Sequence, residues 1–378
     1  MTASVTDGPV RVLHVIAGLN PGGIETWLMH VVRKMDRRRF HHSFCLYRLS
    51  GGPLLPDLKS LSIPVHECRL GQGLSGYRNF ARQFSLLLRS NSYHVVHGHG
   101  TLLPGLFAFL AERAGVPVRI AHAHSAAPVA PGLVSWPSRR LLRHWIRRTV
   151  TAGLACSSVA GDAVFGKGWK RDRRFEILHC AVDPEPFSRP VDKLSLRAEW
   201  NLPAGALVLG HVGNFSPVKN YPFLIDLAHA AIRSDPRFFC MLAGDGVERA
   251  AVAEKVRALG IQDRVLFAGR RSDVPLLMRA VFDVLAFPSF AEGLPMTLIE
   301  AQAAGLPCVV SDAVSREAVV APGRLNFLPL SAGVGPWLHR VLELTEAPRL
   351  DSTAAVRQLN GTDFVIGRSI QRLEALYS

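Results

Sequence analysis

Short apolar runs alternate with amphipathic stretches along most of the chain. The first apolar run, Arg11–Ala17, is followed by a Gly-rich segment at Leu19–Gly23 and by Glu25–Met35, where apolar residues recur at helical spacing. We therefore predict a strand, a turn and a helix. The same pattern predicts further strands at Ser43–Tyr47, Val65–Cys68, His94–His97, Val118–His122 and Thr151–Cys156, and helices at Pro53–Leu61, Tyr77–Ser90 and Leu103–Ala114.

A second alternating series begins at Leu207–Val212, after the Pro-rich and aperiodic segment Cys180–Arg189, which we interpret as a linker. A turn at Asn214–Tyr221 and a helix at Pro222–Ile232 follow. Repeated strand–helix alternation predicts an α/β protein with two doubly wound, Rossmann-like domains, whose strands end along a shared cleft where ligands bind. Further strands are predicted at Phe238–Leu242, Val265–Ala268, Val284–Phe287 and Cys308–Val310, and helices at Ala250–Leu259, Val274–Ala280 and Met296–Ala304.

Length and composition agree with a two-domain globular protein. The chain has 378 residues, of which 48% are hydrophobic, and no apolar run reaches the eighteen or so residues of a membrane span. The amino-terminal segment resembles no signal peptide, and the six cysteines are scattered without a C-x-x-C pair. We expect reduced cysteines and a cytoplasmic location.

The net charge of +14 indicates an acidic partner, such as phosphorylated substrates or an anionic membrane surface. One basic cluster is amphipathic, with Leu142 and Ile146 on the face opposite Arg143. It can either lie on lipid headgroups at the inner face of the plasma membrane or pack on its own domain. Nucleic acid is not expected, since no nucleic-acid module accompanies the charge. The candidate membrane-binding residues are Arg139, Arg140, Arg143, Arg147 and Arg148.

Two carboxylates lie around the start of a predicted helix near the end of the second series. Pro295 suits the first helical position, Gly305 suits a left-handed cap, and Pro307 prevents continuation. Glu292 then lies in the preceding loop and Glu300 inside the helix. The backbone N–H groups at such a junction favour phosphate, and a nearby carboxylate can bind sugar hydroxyls. Two solvated glutamates near a helix start are the simpler alternative.

The spacing of Glu292 and Glu300 resembles the E-x7-E motif of retaining GT-B glycosyltransferases, family 4. The flanking PS-x-x-EG-x-P and EA-x-A-x-G-x-P-V are also similar to that family. The resemblance implies the GT-B fold, with an acceptor domain over residues 1–183, a nucleotide-sugar domain over 184–363, and a last helix, 364–378, that packs back on the first domain. It also implies that Glu300 holds the ribose and Glu292 the transferred sugar.

Other segments resemble the same family. The segment Gly22-Gly23-Ile24-Glu25 is similar to a GG-x-E motif that closes over the donor phosphates and the acceptor, although a plain tight turn is the alternative. Lys219 matches a lysine that clamps the diphosphate, but Asn214 replaces the usual arginine and supplies no charge. Arg270 or Arg271 could supply it. The expected donor-binding residues are Gly22, Gly23, Asn214, Lys219, Arg270, Glu292, Gly293, Leu294, Pro295 and Glu300.

Histidines alternate at the ends of two predicted strands, His97 with His99 and His122 with His124. Alternate residues of a strand share a face, so either pair could chelate a metal. We predict no metal, because the spacing reveals no third ligand. The resemblance instead implies that His124 acts near the transferred sugar, with His122 and His99 beside it on the acceptor side.

These expectations combine into one function. The chain would transfer a sugar from a nucleotide diphosphate sugar, most simply a UDP-sugar, to a glycan or polyprenyl-linked acceptor in cell-surface polysaccharide synthesis. The reaction would retain configuration and need no metal or cofactor, with His124, Lys219 and Glu292 as its catalytic residues. A nucleotide-sugar epimerase on the same fold and a non-catalytic nucleotide-sugar-binding protein remain as alternatives.

Overall fold

A computed structural model describes residues 8–20, 22–48, 51–125 and 136–378 of the chain. The chain divides into two compact units. Unit 1 comprises Met1–Cys180 and Ile366–Ser378, and unit 2 comprises Ala181–Val365. The carboxyl-terminal segment therefore belongs to the same unit as the amino-terminal half.

Unit 1 is built on a seven-stranded parallel sheet in the order β3-β2-β1-β4-β5-β6-β7. The order reverses between β1 and β4, which is the switch point where doubly wound sheets place their ligands. The strands are β1 Val10–Ile16, β2 Phe40–Leu46, β3 Val65–Glu67, β4 Val95–Gly100, β5 Val118–Ala123, β6 Ala152–Ala155 and β7 Phe175–Ile177.

Helices connect these strands and cover both faces of the sheet. Phe80, Phe84 and Phe107 are buried together on one side. The first helix brings Trp27 against the other side, where the last helix also packs. The helices are α1 Gly23–Lys34, α2 Leu55–Ser60, α3 Gly73–Asn91, α4 Pro104–Arg113, α5 Trp136–Thr149, α6 Ser158–Phe165 and, from the end of the chain, α15 Ile366–Tyr377.

Unit 2 repeats the plan with a six-stranded parallel sheet in the order β10-β9-β8-β11-β12-β13. The strands are β8 Leu207–Val212, β9 Phe238–Ala243, β10 Val265–Gly269, β11 Val284–Phe287, β12 Cys308–Ser311 and β13 Leu325–Leu328. The helices are α7 Glu185–Ser188, α8 Lys193–Glu199, α9 Tyr221–Ser234, α10 Arg249–Ala258, α11 Val274–Leu276, α12 Met296–Ala303, α13 Val334–Glu346 and α14 Ser352–Asn360.

The core of unit 2 lies between β8, β9 and β11 and the helices α9, α10 and α13. Fully buried aromatic side chains at Phe215, Tyr221 and Trp337 join the aliphatic residues of the strands there. Burying a large side chain of this kind stabilises the fold by roughly 1.5–3 kcal/mol. Phe215 belongs to the turn after β8 and stacks on Tyr221, with ring centroids 4.1 Å apart. The core therefore fixes the position of this turn.

The two α/β sheets confirm the predicted fold class, with local corrections. Pro295 caps α12, which begins one residue later at Met296, instead of occupying its first turn. The predicted linker contains the short helix α7. The predicted helix Val274–Ala280 is an α-helix only to Leu276 and continues as a π-helix over Leu277–Val281. Gly305 has the predicted left-handed conformation, with φ of +66°.

Candidate active site

Glu292 and Lys219 form an ion pair in unit 2, with Lys219 Nζ 2.8 Å from Glu292 Oε1. Lys219 ends a 3-10 turn after β8, and Glu292 lies in the loop between β11 and α12. Both side chains are only 14–16% exposed, and the Lys219 ammonium also lies 4.5 Å from the ring centre of Phe287. The structure thus brings together two residues that are 73 positions apart in the sequence.

The amino terminus of α12 lies on the same loop as Glu292. The loop residues Gly293, Leu294 and Pro295 lead into the helix, and Leu294 and Pro295 are buried. Thr297 Oγ1 donates a hydrogen bond to the Val212 carbonyl at the end of β8, 3.4 Å away. First-turn amides of a helix lack intrahelical acceptors and carry partial positive charge. This end of α12 is therefore suited to a phosphate group.

Glu300 lies one to two turns further along α12. Burial of its carboxyl raises its pKa to about 7. Within the part of the chain that the structure describes, no hydrogen bond or ion pair involves this carboxylate. A half-buried carboxylate without a protein partner is suited to accept hydrogen bonds from a ligand's hydroxyl groups.

Asn214 is exposed on the turn after β8. The turn is held by its neighbour Phe215, whose N–H donates to the Asp245 carbonyl over 3.0 Å. Gly244, with φ of +141°, lies so close to Gly213 that a side chain there would meet its carbonyl oxygen. The glycines allow the loops after β8 and β9 to approach each other and leave Asn214 at their surface.

Of the two arginines after β10, Arg270 is less constrained than Arg271. The Arg271 guanidinium lies 2.5 Å from Asp273 and 5.4 Å from the ring centre of Trp200. Arg270 Nε lies 3.9 Å from Asp245 Oδ2, at the limit of an ion pair, and the Arg270 side chain is 40% exposed. Arg270 is therefore the one better able to turn toward a diphosphate.

The sequence reasoning missed His211, at the end of β8 beside this site. Its Nδ1 donates to the Ala286 carbonyl, 2.9 Å away, which leaves Nε2 as an acceptor. This Nε2 is buried without a hydrogen-bond partner among the described residues. Burial lowers the pKa of His211 to about 4, and the nearby Lys219 acts in the same direction. Its position at the carboxyl end of a predicted strand was the available signal.

In unit 1, the predicted histidines of β4 and β5 belong to a larger buried cluster. His14 of β1 and His42 of β2, which the sequence reasoning did not single out, join His97, His99, His122 and His124. One series of hydrogen bonds runs from His42 to His14 (3.0 Å), His99 (3.2 Å), His124 (3.0 Å) and the Cys180 thiol (3.3 Å). Another runs from the Tyr377 hydroxyl to His97 (2.8 Å) and His122 (3.3 Å).

Burial lowers the pKa of every histidine in this cluster, so the rings are neutral near pH 7. His124 is 8% exposed and both its ring nitrogens are hydrogen-bonded. The sequence spacing revealed no third metal ligand, but the fold brings a third histidine to each pair. Two sets of three nitrogens lie within 4.8 Å of one another, one from His14, His97 and His99, the other from His99, His122 and His124.

Gly22 and Gly23 open helix α1, close to another titratable carboxyl. Gly22 is the amino-terminal cap, and a Cβ there would lie 2.7 Å from Glu25 Oε2, so the glycine makes room for this carboxylate. Burial raises the pKa of Glu25 to about 7. Glu25 belongs to the GG-x-E pattern noted in the sequence, but only the two glycines were predicted as donor-binding residues.

The basic helix α5 packs its apolar face on its own unit. Leu142 and Ile146 are buried, and Trp145 stacks on Phe109 with ring centroids 4.5 Å apart. Arg143 and Arg147 donate hydrogen bonds to carbonyl groups in the last turn of α6. Of the described helices, none is long and apolar enough to cross a membrane.

Comparison with known proteins identifies the family. Residues 192–328 match the family model "Glycosyl transferases group 1", and residues 22–179 match "Glycosyl transferase 4-like domain". The chain is 34% identical over 349 residues to EpsF of Bacillus subtilis, described as a glycosyltransferase, covering 90% of this chain and 88% of EpsF. The chain belongs to family 4 of the glycosyltransferases.

Two further proteins are similar to this glycosyltransferase. An Escherichia coli enzyme that transfers galactose from UDP-Gal to α-D-GlcNAc-diphosphoundecaprenol is 25% identical over 302 residues, which are 77% of this chain and 76% of that enzyme. HepE of Anabaena, crystallised with UDP and glucose, superimposes with a TM-score of 0.79 at 22% identity, over 98% of this chain and all of HepE. These matches confirm the GT-B fold and the enzyme class.

Proposed function

We propose that this glycosyltransferase moves a sugar, with retention of configuration, from a UDP-sugar to a glycan or lipid-linked acceptor in cell-surface polysaccharide synthesis. The observation that carries the proposal is the Lys219–Glu292 ion pair beside the amino terminus of α12. Further along the helix lies the carboxylate of Glu300, which has no partner among the described residues. Cation, helix terminus and carboxylates are the groups that a diphosphate sugar needs.

Each group has one role in the proposed reaction. Glu300 accepts hydrogen bonds from the ribose hydroxyls, and Glu292 from hydroxyls of the transferred sugar. Lys219, the amides of Gly293 and Leu294, the Asn214 amide and Arg270 take up the charge of the departing diphosphate, as electrostatic stabilisation requires. The acceptor hydroxyl attacks from the side of the leaving group, and its proton passes to the diphosphate oxygen, so no metal is needed in the transfer.

The choice of UDP and of a lipid-linked acceptor is supported by the relatives. HepE was crystallised with UDP, and the Escherichia coli relative uses UDP-Gal and a diphosphoundecaprenol acceptor. The acceptor would bind unit 1, near Gly22, Gly23 and the ends of β4 and β5. Contact of His99, His122 and His124 with the acceptor stays a prediction, because in His124 both nitrogens are already engaged.

Thermal stability in the presence of UDP, GDP, ADP and dTDP tests the donor site. A nucleotide at a hundred times its dissociation constant stabilises the folded protein by about 2.7 kcal/mol. We expect a shift with UDP that is lost in Glu300→Ala and kept in Glu346→Ala, a change of the same kind on α13. A shift with another nucleotide would correct the donor base, and equal shifts in both variants would remove Glu300 from the site.

Product analysis separates transfer from the two alternatives. Incubation of UDP-sugars with a GlcNAc-diphosphoprenol should release UDP only when the acceptor is present, and should continue in excess chelator. An epimerase would convert the sugar without acceptor. A binding protein would give the UDP shift and never release UDP, which is the outcome that the neutral Asn214 would favour.

A further inference from the structure

The buried histidine cluster of unit 1 is unusual for its place in the fold. Parallel sheets covered on both faces are normally apolar throughout. Here four neighbouring strands contribute six imidazoles to one face, with exposures of 0–8%. Each neutral ring has one donor and one acceptor nitrogen. Each donor therefore needs a hydrogen-bond acceptor, and each acceptor nitrogen needs a hydrogen-bond donor or a metal ion.

We propose that His99, His122 and His124 form a binding site for a transition-metal ion, of which Zn²⁺ is the first choice. Each residue offers one nitrogen within 4.8 Å of the others. Zn–N bonds of 2.0–2.1 Å in a tetrahedral site place ligand nitrogens roughly 3.3 Å apart. His99 Nδ1 and His124 Nε2 are 3.0 Å apart, so this pair already has nearly the required separation.

We assign the open nitrogen of His122 as the third ligand. Its Nδ1 faces His97 Nε2 at 3.3 Å, whereas its Nε2 is buried and has no hydrogen-bond partner among the described residues. The Leu178 carbonyl opposes the lowering of the His122 pKa, but it does not lie in hydrogen-bond geometry with Nε2. A buried nitrogen without a partner costs about 1–3 kcal/mol, and a metal ion would remove that cost.

The remaining nitrogens of the three ligands already face outer partners. His99 Nε2 lies 3.2 Å from His14 Nδ1, His122 Nδ1 lies 3.3 Å from His97 Nε2, and His124 Nδ1 lies 3.3 Å from the Cys180 thiol. Metal-binding histidines generally donate their other N–H to a group of this kind, which fixes the ring orientation. Binding would replace only the His99–His124 hydrogen bond and keep the others.

The other set of three is less suitable. In His97 both nitrogens are engaged, with Tyr377 Oη at 2.8 Å and with His122 at 3.3 Å. A metal bound by His14, His97 and His99 would break one of these bonds and leave His122 Nε2 still unpaired. Among the described residues, His42 Nε2 is also buried without a partner. His124 is also the most exposed member of the cluster, so an ion reaches the proposed set from the carboxyl end of β5.

One adjustment is required. The rings of His122 and His124 lie 3.9 Å apart with 33° between their planes, so their in-plane lone pairs do not converge. A small rotation about the χ2 angle of one ring corrects this, and that torsion has a broad minimum in histidine. The rotation lengthens that ring's outer hydrogen bond without breaking it. The ion would link β4 to the end of β5 and have a structural role, independent of the proposed donor site. His124 would then only line the acceptor site and take no part in the chemistry.

Metal binding by the full-length protein, purified without a polyhistidine tag and stripped with chelator, tests the proposal. We expect one equivalent of Zn²⁺ by elemental analysis after dialysis, a raised melting temperature, and the intense visible absorption of tetrahedral Co²⁺ when cobalt is added instead. Less than about 0.2 equivalent of Zn²⁺ bound to the wild type would overturn the proposal without reference to any variant.

Variants then assign the ligands. We expect His122→Gln and His124→Gln to lose the cobalt absorption, Cys180→Ser to bind about tenfold more weakly, and the exposed His41→Gln to bind like wild type. Persistence of the absorption in both ligand variants would place the metal elsewhere and refute the site. UDP stabilisation, measured in the same samples, reports the donor site separately and should survive in a folded His122→Gln protein.

Discussion

Lys219 and Glu292 form a charge pair that is largely removed from solvent, and each has a proposed partner in the substrate. Loss of either charge would leave the other poorly solvated, which is more costly than loss of a surface pair. The pair Lys255–Asp226 provides a comparison on the surface of the same unit, with side chains 31% and 46% exposed and a separation of 2.7 Å.

We expect Lys219→Gln to lower kcat by about 100-fold or more, because it removes the cation that we propose stabilises the leaving diphosphate. Steady-state kinetics with a saturating acceptor measures this. Lys255→Gln is the matched control and should leave kcat unchanged. If kcat of Lys219→Gln stayed within threefold of wild type, the lysine would have no part in departure of the diphosphate.

The raised pKa of Glu300 predicts that nucleotide affinity depends on pH. Burial raises this pKa from 4.5 to about 7 in the free protein, and in the proposed site the ribose hydroxyls bind the ionised form. We therefore expect UDP affinity to rise about tenfold between pH 6 and pH 8. Titration calorimetry measures this. Glu300→Gln should bind more weakly and lack this rise, while any titration of UDP itself appears equally in both proteins.

The same pKa shift affects stability in the opposite direction. The folded state holds the proton of Glu300 more tightly than the unfolded state, so this contribution is present in full below about pH 4.5 and is lost as pH rises through about 7. Chemical denaturation of the free protein should show a flatter pH dependence in Glu300→Gln. An identical dependence would mean that this carboxyl ionises normally.

At the scale of elements, the hydrophobic pattern predicted most strands and the longer helices of the first three-quarters of the chain. It missed β7 and β13, whose sequences FEI and LNFL are interrupted by a polar residue. The equally short β12 is a run of apolar residues with one serine and was predicted. It also passed over α13 and α14, which follow the motif-rich region. The π-helix after α11 could not be predicted, since no residue type indicates it.

The candidate donor site could be predicted where its residues lie at the ends of strands or near the start of a helix. Lys219, Glu292 and Glu300 follow from motif spacing and from the rule that parallel strands end at one edge of their sheet. Of the six histidines in the cluster, four were predicted and two were missed. His14 and His42 lie inside strands whose neighbours in the sheet are set by the tertiary order β2-β1-β4-β5, and local sequence does not contain that order.

Helix α15 completes unit 1 through contacts with residues far away in sequence. The Tyr377 hydroxyl lies 2.8 Å from His97 Nδ1, Arg372 Nε lies 2.7 Å from Glu176 Oε1, and Ser369 Oγ donates to the His179 carbonyl. Tyr377 is 2% exposed, so its hydroxyl has no water to replace the histidine.

We expect Tyr377→Phe to lower the free energy of unfolding by about 1–3 kcal/mol, because it leaves His97 Nδ1 buried without a partner. Urea denaturation followed by circular dichroism measures this. Tyr93→Phe is the control, since its hydroxyl bonds His66 at 3.2 Å and His66 is only partly buried. An equal, small effect of both changes would mean that the contact with His97 contributes little.

The whole molecule carries a net charge of +14, and the hypothesis of membrane binding depends on this charge. The apolar face of α5 is packed within unit 1, so this helix cannot insert it into lipid without leaving its unit. What remains available is electrostatic attraction through exposed arginines such as Arg140 and Arg148.

We expect the protein to sediment with vesicles of anionic phospholipid at low ionic strength and to be released at about 0.5 M salt, where screening is strong. The double variant Arg140→Gln/Arg148→Gln removes two charges and should weaken binding to vesicles. The double variant Arg233→Gln/Arg257→Gln removes two charges on unit 2 and should weaken binding less. Equal weakening would reduce the effect to net charge, and no sedimentation of the wild type would end the membrane hypothesis.

The assignment of Ile366–Ser378 to unit 1 also determines when that unit can be finished during synthesis. The ribosome releases the first 180 residues and then all of unit 2 before α15 emerges. Until then, the surface of unit 1 that receives Tyr377 and Leu373, both nearly fully buried in the finished protein, stays uncovered. Folding of the amino-terminal unit is therefore completed after unit 2 has been synthesised, and a chain interrupted before Ile366 would leave this surface exposed to chaperones and proteases.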